Sequence, residues 1–179
     1  MADPSPITVR RVGSSDVANF RELRLQALQH DPHAFGSTYD QEAQMPPDRW
    51  QAWVDRSSVG DEAYIALAEG DDGPIGMAGG YRPEEAPDER GVWGMWVDPV
   101  WRGKGVGHLL LSAVEDWAAN AGADRLVLWV VESNTSAVML YRRAGFVATG
   151  ETQTLPSDES LDEIQLAKSI IPAVDQADL

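Results

Sequence analysis

The chain contains no cysteine. That absence removes disulfides, thiolate zinc sites and a cysteine nucleophile together, and it fits a reducing compartment. Positive charge is also scarce: 14 Lys and Arg stand against 29 Asp and Glu, a formal net charge of −15. The three histidines do not reverse that balance, which argues against a nucleic-acid partner held on a broad basic face. No apolar run is long enough to span a bilayer, and Met1–Pro6 lacks the basic and apolar regions of a secretion signal. These absences predict a cytoplasmic protein that engages neither membrane nor nucleic acid. His30 and His33 have no third ligand near them in sequence, so no metal site is expected.

What is present suits one ordinary domain. With 179 residues, 43% of them hydrophobic, the chain is long enough to bury about two-thirds of its unfolded surface. We expect flexible tails at 1–6 and 171–179 around a single domain at 7–170.

Hydrophobic periodicity orders the segments. Ile7 to Val12 reads as a short strand. Asp16 to His30 carries Val17, Phe20, Leu23, Ala27 and Leu28 near helical spacing and stops at Asp31-Pro32. A loop through Phe35, Gly36, Ser37 and Thr38 leads to Pro46-Pro47-Asp48, the start of a short helix with Trp50, Trp53 and Val54 on one side. Strands are predicted at Ala63–Ala68, Pro74–Tyr81 and Gly91–Val97, an antiparallel meander. From Gly103 to Asn120 the set Val106, Leu109, Leu110, Ala113, Val114 and Trp117 has the most regular helical spacing, closed by Gly122. Arg125–Val131 is a continuous apolar strand, Thr135–Ala144 a helix followed by Gly145, and Phe146–Leu155 and Glu163–Lys168 two last strands. This order predicts an α/β protein of the α+β type with a mixed sheet.

The chemistry concentrates between Val92 and His108. A strand stops at Pro99, and Gly103, Gly105 and Gly107 lead into the longest helix. Such a junction forms a phosphate cradle, because the first-turn N–H groups are free, the helix dipole favours an anion, and glycines allow close approach. Arg102 and Lys104 add mobile positive charge beside it. The plainer reading is a tight turn whose glycines only cap the helix. The spacing is not G-x-G-x-x-G, since His108 follows Gly107, and no Ser or Thr follows Lys104 as a P-loop requires.

Arg102-x-x-Gly105-x-Gly107 resembles the acetyl-CoA pyrophosphate motif of the GCN5-related N-acetyltransferase (GNAT) family. Asn134-x-x-Ala137-x-x-Leu140-Tyr141-x-x-x-Gly145-Phe146 resembles that family's second motif. With the element order, the resemblance runs from about Ile7 to Lys168. It implies an acyl-CoA N-acyltransferase fold: a mixed, mostly antiparallel sheet of six to seven strands flanked by helices and splayed between strands 4 and 5. It implies acetyl-CoA as co-substrate and no metal.

Residue by residue, the resemblance implies that backbone at Trp96 and Val97 pairs with the pantetheine arm. The backbone of Arg102, Gly103, Lys104, Gly105, Val106, Gly107 and His108 would hold the pyrophosphate, with His108 a phosphate neighbour. Gly94 marks a strand bulge or relieves crowding among Trp93, Trp96 and Trp101. Asn134 touches the CoA arm, caps a helix, or does both. Tyr141 would donate a proton to the departing thiolate, since a phenol with an ordinary pKa near 10 holds one at neutral pH; otherwise it fills the core. Arg142 and Arg143 meet the 3′-phosphate or are merely solvated.

The base is less defined. Deprotonating a lysine-like amine at pH 7 costs about 4.6 kcal/mol, and many relatives use a glutamate on strand 4 or 5. Here Val92–Val97 has no carboxylate, and position 129, a glutamate in some ribosomal-protein acetylating relatives, is Trp129. Glu132, Glu89 and Glu42 are left as candidates beside ordered water, each on the plainer reading a surface acid. Trp93, Trp96, Trp101 and Trp129 are expected to meet near the cleft, chiefly as core.

Charge is uneven along the chain. Pro99–Val114 and Ser133–Gly150, the two motif windows, contain no Asp or Glu. Acids gather instead at Glu84, Glu85, Asp88 and Glu89, at Asp158, Glu159, Asp162 and Glu163, and at Asp31, Asp40 and Glu42. That pattern steers a cationic acceptor or simply solubilises the protein. The expectation is acetyl transfer from acetyl-CoA to a primary amine of a small cationic metabolite or antibiotic-like amine, by direct attack in a ternary complex. The alternatives are a peptide or protein N-terminal or lysine acetyltransferase, and a non-catalytic acyl-CoA-binding sensor module. A homodimer is compatible with each.

Overall fold

The structure is a computed structural model that describes residues 6–170; nearly all of both expected tails lies outside the described residues. The elements are β1 (Thr8–Arg11), α1 (Val17–His30), α2 (Tyr39–Ala43), α3 (Pro47–Ser58), β2 (Ala63–Gly70), β3 (Gly73–Tyr81) and β4 (Glu89–Val97), followed by α4 (Val106–Asn120), β5 (Arg125–Val131), α5 (Thr135–Arg143), β6 (Val147–Leu155) and β7 (Asp158–Ser169). All strands join one sheet in the order β1-β2-β3-β4-β5-β7-β6. β4 and β5 run parallel, and the other neighbours are antiparallel. The expected mixed α/β sheet is therefore present. Among the described residues no helix is long and apolar enough to cross a membrane.

Strand alternation divides the interior into two cores. Along β2, Tyr64, Ala66 and Ala68 face α4, where Leu110, Leu111 and Val114 pack. Ile65 and Leu67 face the other way, onto Phe20 and Leu28 of α1 and Trp50 and Val54 of α3. The small β2 residues on the α4 side let that helix lie close. Each fully buried Leu or Phe contributes about 2 kcal/mol, so the two cores hold the sheet from both faces.

Several boundaries differ from the sequence reading. Five residues read as loop form α2, begun by Thr38, whose Oγ1 accepts from Gln41 N–H while Gln41 Oε1 accepts from Thr38 N–H. That reciprocal cap can start a helix too short to show an apolar stripe. α4 begins at Val106 instead of Gly103, because Gly103 and Gly105 have φ of +75° and +85°, outside the helical region. Leu109, assigned to the buried stripe of α4, is exposed, and Leu111 is buried. β7 starts at Asp158 instead of Glu163, so Asp158, Glu159 and Asp162, next to the turn, already belong to the strand.

β4 contains the decisive irregularity. Its register against β3 passes from Gly79↔Trp93 to Met77↔Trp96, so Ala78 alone faces Gly94 and Met95. Gly94 has φ +62°, and the strand is bulged there. Crowding by tryptophan is not the reason for this glycine: a Cβ would meet only Arg24 Nη1, at 3.5 Å.

Arg24 holds the helices beside that bulge. Its Nε and Nη2 donate to Glu42 at 2.9 and 2.7 Å, Nη2 also to Ser37 Oγ at 2.9 Å, and both charged residues are buried. The guanidinium lies over Phe35 and Trp93. Glu42 is therefore not the surface acid the sequence suggested, and its lone pairs are taken by Arg24 and Ser37.

Two outcomes follow for stability. Gly94→Ala should lower the unfolding free energy by about 1–2 kcal/mol, the cost of a left-handed L-residue, read as a lower denaturant midpoint at unchanged slope. Glu42→Gln should cost about 3 kcal/mol by leaving Arg24 uncompensated, whereas Glu42→Leu combined with Arg24→Met should cost less than either change alone.

Candidate active site

The start of α4 is built to face an anion. Gly105, the N-cap, offers no side-chain hydrogen bond, and a Cβ at Gly103 or Gly105 would meet nothing within 4 Å. These two glycines serve the backbone turn and leave the space above it open. The first intrahelical bond runs from Leu109 N–H to Gly105 C=O at 3.1 Å. The N–H groups of Val106, Gly107 and His108 thus have no partner within the helix. Gly107 serves packing: a Cβ there would stand 3.3 Å from Leu140 and 3.7 Å from Met95.

The flanking cations are less mobile than the sequence suggests. Arg102 donates from Nε to Val97 C=O at 2.9 Å and pairs through Nη2 with Asp31 at 2.5 Å. Asp31 Oδ2 also accepts Trp96 Nε1–H at 2.7 Å. Burial raises the Asp31 carboxyl pKa, but the Trp96 and Arg102 donors outweigh it and hold the group below the usual carboxylate range. Lys104 Nζ sits 4.6 Å over the Trp101 ring.

Beside this cradle the sheet opens. β4 pairs with β5 only from Glu89↔Arg125 to Val92↔Leu128, while β5 stays paired to β7 as far as Val131↔Glu163. Trp93–Val97 therefore has no β5 neighbour. Asp98 N–H bonds Ile75 C=O at 2.9 Å, and alternation then turns the Trp96 backbone groups toward β3 and those of Val97 and Met95 toward the opening. Met95 was missed in the sequence, where only alternation counted back from Pro99 could have singled it out. Trp96 brings its side chain to the α1 side, 4% exposed.

On α5, Tyr141 is 7% exposed, with its ring edge-on to Phe146 at 5.9 Å. Burial pushes its phenol well above the ordinary value, so it stays protonated throughout the neutral range. Its hydroxyl has no hydrogen-bond partner among the described residues. Asn134 caps α5, its Oδ1 accepting from Ala137 N–H at 3.3 Å and Ser136 Oγ at 3.1 Å. The cap uses only the carbonyl oxygen, and the amide N–H groups have no partner among the described residues. His108, Arg142 and Arg143 are exposed.

The expected tryptophan group is not the one that forms. Trp93 stacks on Trp53 at 5.1 Å, and Trp53 on Trp50 at 5.7 Å. Trp101 lies apart against Gly70, and Trp129 is half-buried on β5 beside Gln165. Among the candidate bases, Glu89 pairs with Arg125 at 3.0 Å and Glu132 is exposed beyond the end of β5. The loop after α1 rests on the β6–β7 turn: Ser157 Oγ–H donates to Phe35 C=O at 2.5 Å, Pro156 packs on Gly36, and His33 meets Asp158 at 3.3 Å. Hydrogen bonds from Ser160, then His33, hold the Asp158 carboxyl below its ordinary pKa.

Comparison with known proteins agrees with this geometry. The acetyltransferase (GNAT) family profile matches residues 23–146. A mycothiol acetyltransferase of Thermobispora bispora is 40% identical over 81 residues, covering 45% of this chain and 23% of the relative. A streptothricin acetyltransferase of Streptomyces lavendulae is 43% identical over 54 residues, 30% of this chain and 29% of the relative. The chain thus spans less than a third of the length of either relative. A Salmonella typhimurium structure, assigned as an acetyltransferase and solved with its cofactor acetyl-CoA, superposes with a TM-score of 0.77 at 20% identity, covering 98% of this chain and all of the other. That likeness is one of fold. The profile match extends over more than half of the sequence, and the chain belongs to the acetyltransferase (GNAT) family.

Proposed function

We propose that residues 7–170 form one catalytic unit that transfers an acetyl group from acetyl-CoA to the primary amine of a small cationic acceptor in the cytoplasm. The observation that carries this reading is the uncapped, glycine-opened start of α4 beside the unpaired edge of β4. One element offers free N–H groups to a diphosphate and the other offers a strand edge to an amide-bearing arm. The cradle residues present fit such a ligand, and no carboxylate in Pro99–Val114 or Ser133–Gly150 opposes it. Acetyl-CoA, when bound, supplies the activated thioester.

This chain's own residues do the rest. The N–H groups of Val106, Gly107 and His108 hold the diphosphate, with Gly103, Lys104 and Gly105 shaping the approach and Arg102 bracing it against Val97. Val97, with Trp96 packed behind it, sets the height of the arm, and the Asn134 amide meets it from α5. The neutral amine, its ammonium proton already given up to water, would attack the thioester carbonyl carbon; as the carbon–sulfur bond breaks Tyr141 would give its proton to the leaving sulfur, and the proton shed by the acylated nitrogen would pass through water to restore the phenol. A small acceptor is supported by relatives named for mycothiol and streptothricin, and a cationic one by the acids that follow the β6–β7 turn, Asp158, Glu159, Asp162 and Glu163.

Thiol release from acetyl-CoA with spermidine, streptothricin and a lysine peptide, followed by product mass, tests the reading. Acetylated amine is expected, whereas acetyl-CoA binding without release by any amine would leave a sensor module. Tyr141→Phe should keep acetyl-CoA affinity and lose roughly 100-fold or more in kcat; an unchanged kcat overturns the assignment. Because the phenol is raised and serves in its protonated form, ionisation would remove activity only above its shifted pKa. The wild-type kcat should therefore show no alkaline fall near pH 10 attributable to this group.

A further inference from the structure

Among the described residues three carboxylates are buried: Asp16, Glu42 and Glu163. Two are neutralised by arginine. Arg10 donates twice to Asp16, at 2.7 and 2.8 Å, and Arg24 twice to Glu42. Glu163 is 7% exposed and has no cation within ion-pair distance among the described residues; its one hydrogen bond comes from Gln153 Nε2–H to Oε2 at 2.8 Å. Its Oε1 accepts no hydrogen bond among the described residues. A carboxylate removed from bulk water without a positive neighbour is costly to the fold. Such a group lacks the usual structural justification and fits one whose cation arrives from outside.

The position of Glu163 says which molecule would bring that cation. Ile164 and Leu166 pack into the core beneath α4, so alternation along β7 puts Glu163 and Gln165 on the opposite, α1-side face. Glu163 lies beside Val131 and Gln165 beside Trp129. Those are the last β5 positions, where β4 has already parted from the sheet. The residue therefore lies one strand beyond the opening, level with the end of β5 that lines it, on the face away from the anion cradle at the start of α4. The loop after α1, tied to the β6–β7 turn through Ser157 and Phe35, lies over this side.

We propose that the Glu163 carboxylate receives the ammonium group of the acceptor, with Gln153 fixing the carboxylate's orientation. The proposal rests on the acetyl-transfer reading and adds the residue that reads the acceptor's charge. A primary ammonium offers three N–H donors, one of which Oε1 can take. Partial desolvation makes this contact stronger than one at the exposed acids Glu159 and Asp162, which solvent screens.

Calorimetric titration of the CoA-saturated protein with spermidine tests this without turnover. Wild type should bind spermidine, Glu163→Gln should bind at least tenfold more weakly, and Glu163→Asp should recover part of the loss. CoA affinity should be equal in all three. The melting temperature of Glu163→Gln should be unchanged or higher, whereas a purely structural carboxylate would lower it and leave spermidine binding intact. Equal spermidine binding by wild type and Glu163→Gln, or none by wild type, overturns the proposal. Thiol-release assays separate this from the parent reading. If amines are acetylated with the same KM by wild type and Glu163→Gln, acetyl transfer stands and the role of Glu163 falls. If spermidine binds through Glu163 and no amine releases thiol, the reverse holds.

Discussion

β4 has to be an interior strand for its first half and an open edge for its second, and the rest of the site depends on how it meets both demands. Up to Val92 it is hydrogen-bonded on both sides, to β3 and to β5. Beyond that point an ordinary strand would continue to pair and close the sheet. The extra residue at Gly94 bends the chain and increases its local twist, so that Trp93 and Trp96 both face the α1 side although they stand three positions apart, an offset that regular alternation sends to opposite faces. Without the bulge, strict alternation would send one of those indoles into the core under α4. The same irregularity presents Val97 to the gap, where its carbonyl meets Arg102.

An unpaired edge inside a sheet is a liability unless its walls are held apart. Side-chain clasps do this on the α1 side. Asp31, at the end of α1, takes hydrogen bonds from both Trp96 and Arg102 and so ties the helix to the end of β4 and to the loop that enters α4. Arg24, one helix face further back, fixes α2 through Glu42 and lies against the bulge. Ser157 and Phe35 join the α1 loop to the β6–β7 turn on the far side of the gap. The Arg24–Glu42 clasp is buried and the Trp96–Asp31 and Ser157–Phe35 bonds are partly buried, where such contacts are firmer than exposed ion pairs, while Arg102–Asp31 closes the frame at the surface. The gap is thus framed by side-chain bonds where backbone pairing has stopped.

Much of this was legible in the sequence, for reasons that are local. The spacing of Val106, Leu110, Val114 and Trp117 placed α4, and the apolar run Arg125–Val131 placed β5 to the residue. The glycines at 103, 105 and 107 marked the cradle because positive φ and close packing leave a compositional trace. What was not legible depends on partners distant in sequence. Glu42 looks like any surface acid until Arg24, on another helix, turns it into a buried ion pair. Arg102 looks mobile until Asp31 arrives from α1. Glu163 stood among four acids with nothing to distinguish it; only the strand register, which puts Ile164 in the core and Val131 alongside, makes it the buried member. Met95 needed the phase of hydrogen bonding, which a one-residue bulge resets.

The sheet also separates two electrostatic environments that the net charge of −15 conceals. Charges further apart than about 8 Å are largely screened at physiological salt, so the field felt in a cleft is set by its own lining more than by the total. On the α4 side that lining consists of helix N–H groups, Lys104 and segments free of acid. On the α1 side, past the gap, the buried carboxylate of Glu163 has no cation within ion-pair distance among the described residues. A polyanion and a cation would meet opposite signs on entering from opposite faces, and each would be repelled by the environment suited to the other. Such an arrangement orients two reactants before any contact specific to either forms. It also requires the opening between β4 and β5, because a continuously paired sheet would keep the two environments apart.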